Sequence, residues 1–271
     1  MDILKIYDDV QKDVQAIYRS RLQVQVLLSL LEGRKLLSDL RDVTGSTSQA
    51  LLPKIRVLES NKLIESVDHE YRLTPLGRII SSKIADSIKT MGSILKHKNF
   101  FYTHYLEGIP DELLQDIGSL YNSTLISDTK VEIFTVYNNY LKMLQEADEI
   151  YGISTIMTGG LADALASRIL EGIPVELIIS ADVMNELGQQ VYAEQINALL
   201  QNENFKIYVV QENIKLGFTV TDKCISIGLY KNDGITYDPT MDLFSYDDMA
   251  INWGKKLFAY YHSKAEEFKG Y

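Results

Sequence analysis

The sequence lacks the residues on which several classes of protein depend. Among its 271 residues there is one cysteine, Cys224, which excludes an intrachain disulfide and a cysteine-based metal site. No apolar run approaches the roughly 20 residues that a membrane-spanning helix requires, so we expect no membrane contact. The first residues, MDILKIYDDVQKD, carry charges throughout, unlike a signal peptide, and a cytoplasmic location is the prediction.

The motifs of catalysis and cofactor binding are missing as well. The sequence contains no P-loop and no GxGxxG, GxSxG or HExxH motif. Its four histidines are scattered along the chain without the spacing of metal ligands. We therefore expect that the protein is not an enzyme and holds no metal and no cofactor.

Basic residues are concentrated in one part of the chain. The formal net charge is −10, yet residues 1–100 contain 16 Lys and Arg against 12 Asp and Glu. Residues 101–271 contain 11 against 25. Although chance and solubility would also explain this asymmetry, it is typical of a DNA-binding module joined to an acidic regulatory module. We predict two domains, residues 1–100 and residues 101–271.

The clearest structural pattern lies in residues 36–74. Apolar residues at helical spacing predict a short helix around Leu40 and a second helix with Leu51, Ile55 and Leu58 on its buried face. Thr44-Gly45 separates the two helices, and the following hydroxyl residues offer N-caps. Residues 63–67 and 71–73 then predict two short strands around a turn. Two helices followed by a hairpin indicate a winged helix-turn-helix, whose second helix enters the major groove.

Polar and basic residues of this unit are the predicted contacts with double-stranded DNA. The second helix would present Ser48 and Gln49 to base edges and Lys54 and Arg56 to phosphates. Arg34 and Lys35, which follow a helix predicted to end at Gly33, would contact backbone phosphates, as would Arg72. For Arg34 and Lys35 a solvated helix end is the alternative. The predicted DNA-binding residues are Arg34, Lys35, Ser46, Thr47, Ser48, Gln49, Lys54, Arg56, His69 and Arg72.

A long helix is predicted to follow the wing, with Thr74 as its cap and Pro75 in its first turn. It would continue to about Lys98 and either connect the domains or pair with its copy in a dimer. Since operators are commonly two-fold symmetric, we expect a homodimer.

Strands and helices alternate in the second half of the chain. Strands are predicted at 149–153, 175–179 and 205–210, followed by a hairpin over 216–230. Helices are predicted at 108–126, 134–147, 161–170, 183–200 and 246–268. The expected fold class is α/β (α+β overall), with an N-terminal winged helix-turn-helix followed by a mixed α/β sheet with flanking helices.

Several residues of this half follow strands, where open α/β sheets bind ligands. Thr158, Gly159 and Gly160 precede a helix, and their backbone would allow a ligand to approach closely, although a plain strand–helix turn is the alternative. Asp182 and Gln211 follow two further strands. Tyr151 could form an aromatic wall, although a strand tyrosine is more often a core residue.

Several stretches resemble a known family. LRDVTGSTSQALLPKIRVLESNKLIE, YRLTPLGR, EADEIYGIS and ILEGIPVELIIS resemble archaeal winged-helix regulators of methanogens, which carry a methanogenesis-regulatory middle domain after an ArsR-like DNA-binding domain. The C-terminal stretch from FKIYVV onward also looks like the sensor half of archaeal sugar-responsive regulators, whose fold is similar to phospholipase D. The resemblance implies that the hairpin, with Thr219, faces a ligand. The phospholipase motif HxKxxxxD has no counterpart here, because FTVTDK lacks its histidine.

The sequence thus predicts a dimeric transcriptional regulator whose C-terminal domain binds an unknown small-molecule effector and controls operator binding. A divergent phospholipase-D-like hydrolase with a DNA-targeting domain is one alternative. A protein–protein adaptor, in which the winged helix binds another protein, is the other.

Overall fold

The computed structural model describes residues 2–156 and 159–270, which fall into two compact units, Met1–Ile88 and Lys89–Tyr271. The predicted division at residue 100 stays a prediction, since compactness alone does not define a domain that folds independently. None of the described helices has the length and apolar character needed to cross a membrane.

The first unit is a winged helix-turn-helix, as predicted. Its elements in chain order are α1 (Ile3–Arg19), α2 (Arg21–Ser29), a 3-10 turn (Leu30–Glu32), β1 (Lys35–Leu36), α3 (Leu37–Thr44), α4 (Ser48–Ser60), β2 (Ile64–Val67), β3 (Glu70–Leu73) and α5 (Pro75–Lys96), which continues into the second unit.

Local chemistry explains where the helices of this unit begin and end. Gly45 ends α3 in the left-handed conformation, with φ of 59°. Thr47 caps α4 by accepting the backbone N–H of Ala50 at 3.3 Å. The wing strands β2 and β3 pair antiparallel, and β1 adds to the other edge of β3. The apolar faces of α2, α3 and α4 meet the wing in one core.

Gly77, in the first turn of α5, is required by close packing. A Cβ at this position would lie 1.7 Å from the carbonyl oxygen of Leu63, which is a backbone atom and cannot turn aside. Thr74 caps the helix by accepting the N–H of Gly77 at 3.0 Å and donates its hydroxyl proton to the carbonyl of Lys62 at 2.6 Å. The Leu-Thr-Pro-Leu-Gly segment therefore ties the start of α5 to the strand that opens the wing.

The second unit is a mixed sheet covered by helices on both faces, which confirms the predicted fold class. Its elements are α6 (Lys98–Thr103), α7 (Asp111–Gln115), a 3-10 turn (Ile117–Leu120), β4 (Thr124–Ser127), α8 (Thr135–Glu146), β5 (Ile150–Ser154), α9 (Gly159–Leu170), β6 (Val175–Ser180), α10 (Ala181–Leu187), α11 (Gln190–Leu199), β7 (Phe205–Val210), β8 (Leu216–Thr221), β9 (Ile225–Tyr230), β10 (Tyr237–Ser245), α12 (Asp248–His262) and β11 (Glu266–Phe268).

The eight strands lie in the order β11-β7-β6-β5-β8-β9-β10-β4. Strands β5, β6 and β7 are parallel to one another, whereas all other neighbours are antiparallel. Helix α12 covers one face, where Trp253 is fully buried and donates its indole N–H to the carbonyl of Leu113 at 2.9 Å. Helices α8 to α11 contribute to a second core on the other face.

Three predicted helices were wrong in extent. The helix predicted at 108–126 is the short α7, a 3-10 turn and strand β4, because residues 124–127 pair with β10 instead. The helix predicted at 183–200 is divided into α10 and α11. The C-terminal helix ends at His262, and β11 then pairs with the edge of β7. In two cases a distant strand edge supplied the backbone partners, which helical periodicity within a segment cannot reveal.

Candidate functional site

The exposed side of α4 presents polar and basic groups in the first unit. Gln49, Lys54 and Arg56 are exposed, while Leu51, Ile55 and Leu58 are buried in the core. In the described part of the chain, neither Lys54 nor Arg56 has a carboxylate within ion-pair distance. Ser46 and Ser48 are half-buried near the start of the helix, and Thr47 is its cap. This surface leaves two cations available to a phosphate backbone.

The other predicted phosphate contacts are already paired with acidic side chains. Arg72 donates from Nε to Glu65 Oε1 at 2.7 Å across the wing. Lys35 Nζ donates to Glu32 at 3.2 Å, and Arg34 lies 4.0 Å from Glu70. These partners reduce the net positive field of the wing and the region before α3. Of the predicted basic residues, those on α4 are therefore the best placed to bind phosphate.

The turn of the wing is tight and projects into solvent. Asp68 and His69 have positive φ angles, 52° and 68°, and both side chains are exposed. Two consecutive left-handed residues give the turn geometry that matches the twist of a hairpin. His69 therefore lies at the tip of the wing.

A cavity of about 910 Å³ lies in the second unit, between the sheet and helices α8, α9 and α11. The cavity arises from the alternation of large apolar and small or polar side chains along two central strands. In β8 and β9, apolar residues such as Phe218 and Ile227 join the core beneath α12. The opposite face carries small residues in two cross-strand pairs, Gly217 with Gly228 and Thr219 with Ser226. The glycine pair accommodates the Tyr237 side chain, whose hydroxyl would lie 2.1 Å from a Cβ on Gly228. The small Thr219 and Ser226 side chains leave space beneath the helices.

Polar side chains lie on this face of the sheet, which forms the floor of the cavity. The hydroxyls of Tyr140 and Thr219 are hydrogen-bonded at 2.7 Å, and Ser226 donates to Asp242 Oδ2 at 2.8 Å. Tyr237, which also lines the cavity, lies on the same strand as Asp242. Burial raises the pKa of Tyr140 to about 12, with the nearby Asp242 carboxylate adding to the increase although the bond to Thr219 opposes it. Both tyrosines are therefore neutral hydroxyl groups at physiological pH, since burial also raises the pKa of Tyr237 well above its usual value.

Asp242 is the most unusual group of this cluster. It is 5% exposed, and its Oδ1 has no hydrogen-bond partner among the described residues. Burial raises the pKa of its carboxyl to about 7, the bond from Ser226 lowers it, and the charges of Asp238 and Asp128 raise it further. The pKa of Asp238, four residues earlier in the sequence, shifts in the opposite direction. Although burial raises its pKa, hydrogen bonds from Thr240 outweigh this, and the pKa is lowered.

The structure brings three of the predicted ligand-binding residues together and separates three others. Gly159, Gly160 and Thr219 line the cavity. A Cβ on Gly160 would lie 2.1 Å from the Tyr137 hydroxyl, so this glycine accommodates a tyrosine of the cavity wall. Thr158 lies outside the described residues.

The remaining three predicted ligand residues do not line the cavity. Tyr151 packs on Phe258 of α12, with ring centroids 5.1 Å apart, and α12 covers the opposite face of the sheet. Asp182 is exposed in the first turn of α10, and Gln211 is exposed after β7.

Sequence reasoning missed Asp242 because it did not predict β10. The alternating patterns LGFTVT and ISIGLY carry a usable signal, since one face of each strand is apolar and the other is small or polar. Where the phospholipase motif has its lysine, Lys223 lies outside the cavity and pairs with Asp148 at 2.7 Å. The described residues contain no cluster of three His, Cys, Asp or Glu suited to a metal ion.

Comparison with known proteins gives two matches to parts of one family. Residues 11–92 match the N-terminal domain of the methanogenesis regulatory protein FilR1, and residues 133–264 match its middle domain. A curated relative, the methanogenesis regulatory protein FilR1 of Methanothrix harundinacea (strain 6Ac), is 25% identical over 262 residues. The alignment covers 96% of this chain but 58% of that relative's length.

The solved structures that align with this chain resemble it only weakly. TrmBL2, described as an archaeal chromatin protein with a novel mode of DNA binding, aligns with 90% of this chain and 92% of its own at 16% identity and a TM-score of 0.43. A phosphatidylserine synthase of Haemophilus influenzae Rd KW20 aligns with 55% of this chain and 40% of its own at 12% identity and a TM-score of 0.40. At these TM-scores the likeness establishes no shared function.

Proposed function

Because residues 11–92 and 133–264 match the N-terminal and middle domains of the methanogenesis regulatory protein FilR1, we propose that the chain is a DNA-binding transcriptional regulator controlled by a small molecule. The observation that carries the DNA-binding part is the exposed side of α4, where no acidic residue of the described ranges 2–156 and 159–270 pairs with Lys54 or Arg56. The second helix of a helix-turn-helix reads the major groove, and unpaired cations beside it would bind phosphates. No catalytic role is assigned to any residue.

Fluorescence anisotropy tests DNA binding directly. The full chain is titrated onto its own upstream region and onto scrambled DNA at two or more salt concentrations. We expect a salt-sensitive affinity that is higher for the upstream region. Replacing Lys54 and Arg56 together by alanine should reduce the salt slope by about 1.8, or roughly 0.9 for each lost phosphate contact.

Lys54→Ala and Arg56→Ala are also measured singly. Lys83→Ala is the matched control for each of these, because it removes one exposed positive charge on α5 in the same unit. An equal loss of affinity in this control would mean that net charge, and not the α4 surface, governs binding. Unchanged affinity in the double variant would refute the assignment of α4. Equal, negligible affinity for both DNAs would favour a protein adaptor.

The effector part of the proposal is supported by the cavity of the second unit. Its volume of about 910 Å³ is within the usual range for small-molecule sites, roughly 300–1,000 Å³. A ligand there could control DNA binding only if it favoured one arrangement of the DNA-binding units over another. An effector should therefore shift the anisotropy curve, and DNA should shift effector affinity by the same factor.

Homodimer formation is supported by exposed apolar residues on α1. Tyr7, Val10, Val14 and Tyr18 are all exposed, and their spacing of three to four residues forms one stripe along the helix. A second copy with the same stripe would bury it, and two copies would supply two recognition helices for a two-fold operator.

Sedimentation equilibrium tests this interface. Val10→Asp combined with Val14→Asp should produce a monomer with weakened operator binding. Lys12→Gln combined with Ala16→Asp is the matched control, since it lowers the net charge by the same amount and both residues are exposed and lie off the stripe on the same helix. A dimer that survives the first pair of substitutions would exclude α1 as its interface.

A further inference from the structure

The cavity of the second unit carries negative charge only. Its lining contains three carboxylates, Asp128, Asp163 and Asp242, and among the described lining residues there is no Lys, Arg or His. A ligand phosphate or carboxylate would lose its hydration without gaining a cation, which is strongly unfavourable in a buried site. Anionic ligands are therefore disfavoured, even though the cavity includes the start of α9.

The rest of the wall is mostly apolar. Aliphatic side chains from α9, α11, β6 and β7 cover the cavity, including Leu165, Ile169, Leu177, Ile196 and Ile207. Such a wall favours an apolar ligand body, since binding removes the ligand's apolar surface from water.

One polar group in the floor needs a donor. Asp242 Oδ2 already accepts a proton from Ser226, whereas Oδ1 is buried without a hydrogen-bond partner among the described residues. A buried carboxylate oxygen in this state is costly unless a ligand supplies a hydrogen bond or a compensating charge. The carboxylates of Asp128 and Asp238 act on the same group and add to the negative potential.

We propose that the cavity binds an apolar ligand that carries a protonated amine, with the ammonium group donating to Asp242 Oδ1 and the apolar body lying against α9 and α11. This inference rests on the proposed function, because it assigns the chemical class of the effector. It explains both the apolar wall and the buried acceptor.

The ionisation of the site gives the expected pH dependence. Without ligand, burial raises the pKa of Asp242 to about 7, with Asp238 and Asp128 adding to the increase. The groups that face it are the carboxylates of Asp128 and Asp238 and the hydroxyls of Tyr140, Tyr237 and Ser226. Burial raises the pKa of both tyrosines far above this range, and the Ser226 hydroxyl does not titrate. An amine stays protonated from pH 6 to 8, so its affinity should rise about tenfold over this interval as Asp242 ionises.

Three probes with the same ten-carbon chain test the inference by isothermal titration calorimetry on the full chain, below their micelle concentrations. Decylamine should bind about tenfold to a hundredfold more tightly than decanol, because it adds a charge-assisted hydrogen bond. Decanoate should bind most weakly. The affinity of decanol should not rise between pH 6 and 8.

Asp242→Asn keeps the shape of the side chain but removes its charge, and should reduce decylamine affinity to that of decanol. Asp163→Asn is the matched control, since Asp163 also lines the cavity but is exposed on α9. It should leave the preference for the amine unchanged. Two filling variants, Leu177→Trp and Ala166→Trp, should each abolish binding of decylamine and decanol, which excludes attachment of the amine to the acidic surface.

The outcomes separate this inference from the proposed function. Equal affinity for decylamine and decanol, tighter binding of decanoate, or binding of none of the three would overturn the amine assignment. So would decylamine binding that persists in both filling variants. If decylamine binds as expected but leaves DNA affinity unchanged, the amine site stands and the effector role fails. If DNA binding itself is absent, the regulator assignment fails whatever the calorimetry shows.

Discussion

Replacing Asp242 by asparagine should stabilise the ligand-free protein above neutral pH. The folded-state pKa of this carboxyl is about 7, against an ordinary value of 3.8, because burial disfavours the charged form. Between these two values the folded state binds more protons than the unfolded chain, so stability falls as the pH rises from about 4 to about 7 and is constant above that. Asparagine does not titrate and should not show this loss.

The magnitude follows from the difference between the two pKa values. Each unit is worth about 1.4 kcal/mol, so the ionised carboxylate costs about 4 kcal/mol at pH 8 relative to its neutral form. The hydrogen bond from Ser226 can be retained by the amide oxygen of asparagine, which keeps the comparison close to a pure charge effect. Relative to wild type, the variant should therefore gain about 1.4 kcal/mol for each unit by which the pH rises between about 4 and about 7, and should gain no more above that.

Urea unfolding at several pH values between 4.5 and 8 measures this gain. Fluorescence of Trp253 reports on the second unit, because it is the only tryptophan of the chain and is buried against the sheet in that unit. Asp163→Asn is the control, since an exposed carboxylate should show little pH-dependent effect. If the stability difference between Asp242→Asn and wild type does not change with pH, the claim that burial raises the pKa of the Asp242 carboxyl is refuted.

Three further substitutions test the packing of the two units. Gly77→Ala should strongly destabilise the first unit, since its Cβ would overlap the Leu63 carbonyl oxygen, and calorimetry should show a lower melting temperature or loss of that transition. Thr47→Ala should cost about 1 kcal/mol of stability in the same transition through loss of the α4 cap, and an unchanged melting temperature would exclude that role. Tyr140→Phe should lower the free energy of unfolding, measured with urea, by about 1–2 kcal/mol, because it removes the partner of the buried Thr219 hydroxyl. No loss would indicate that water replaces the Tyr140 hydroxyl.

The winged helix was predictable because its determinants are local. Gly45 and Thr47 define the boundaries of α3 and α4, and the spacing of Leu51, Ile55 and Leu58 defines the buried face. The opposite face of α4 follows from the same period, so its exposed basic residues could be named from the sequence. The sequence could not show which basic side chains are free to bind phosphate, because that depends on partners in other elements. Arg72, for example, is paired with Glu65 on the neighbouring strand.

The second unit shows what the sequence by itself determines and what only the tertiary structure decides. The parallel strands and the hairpin were evident from their apolar runs and turns, because these signals lie within each segment. Strands β4 and β11 were not, because their partners β10 and β7 are distant in sequence. Strand β10 was missed although it follows β9 directly, because its composition is polar and its register with β9 shifts between Tyr237 and Asp242. Asp242 joins the cavity only because β10 pairs with β9 and thereby places its carboxylate beside Ser226. The sequence determined the winged helix, the parallel strands and the hairpin, whereas the register of β10 against β9 decided where the buried charge lies.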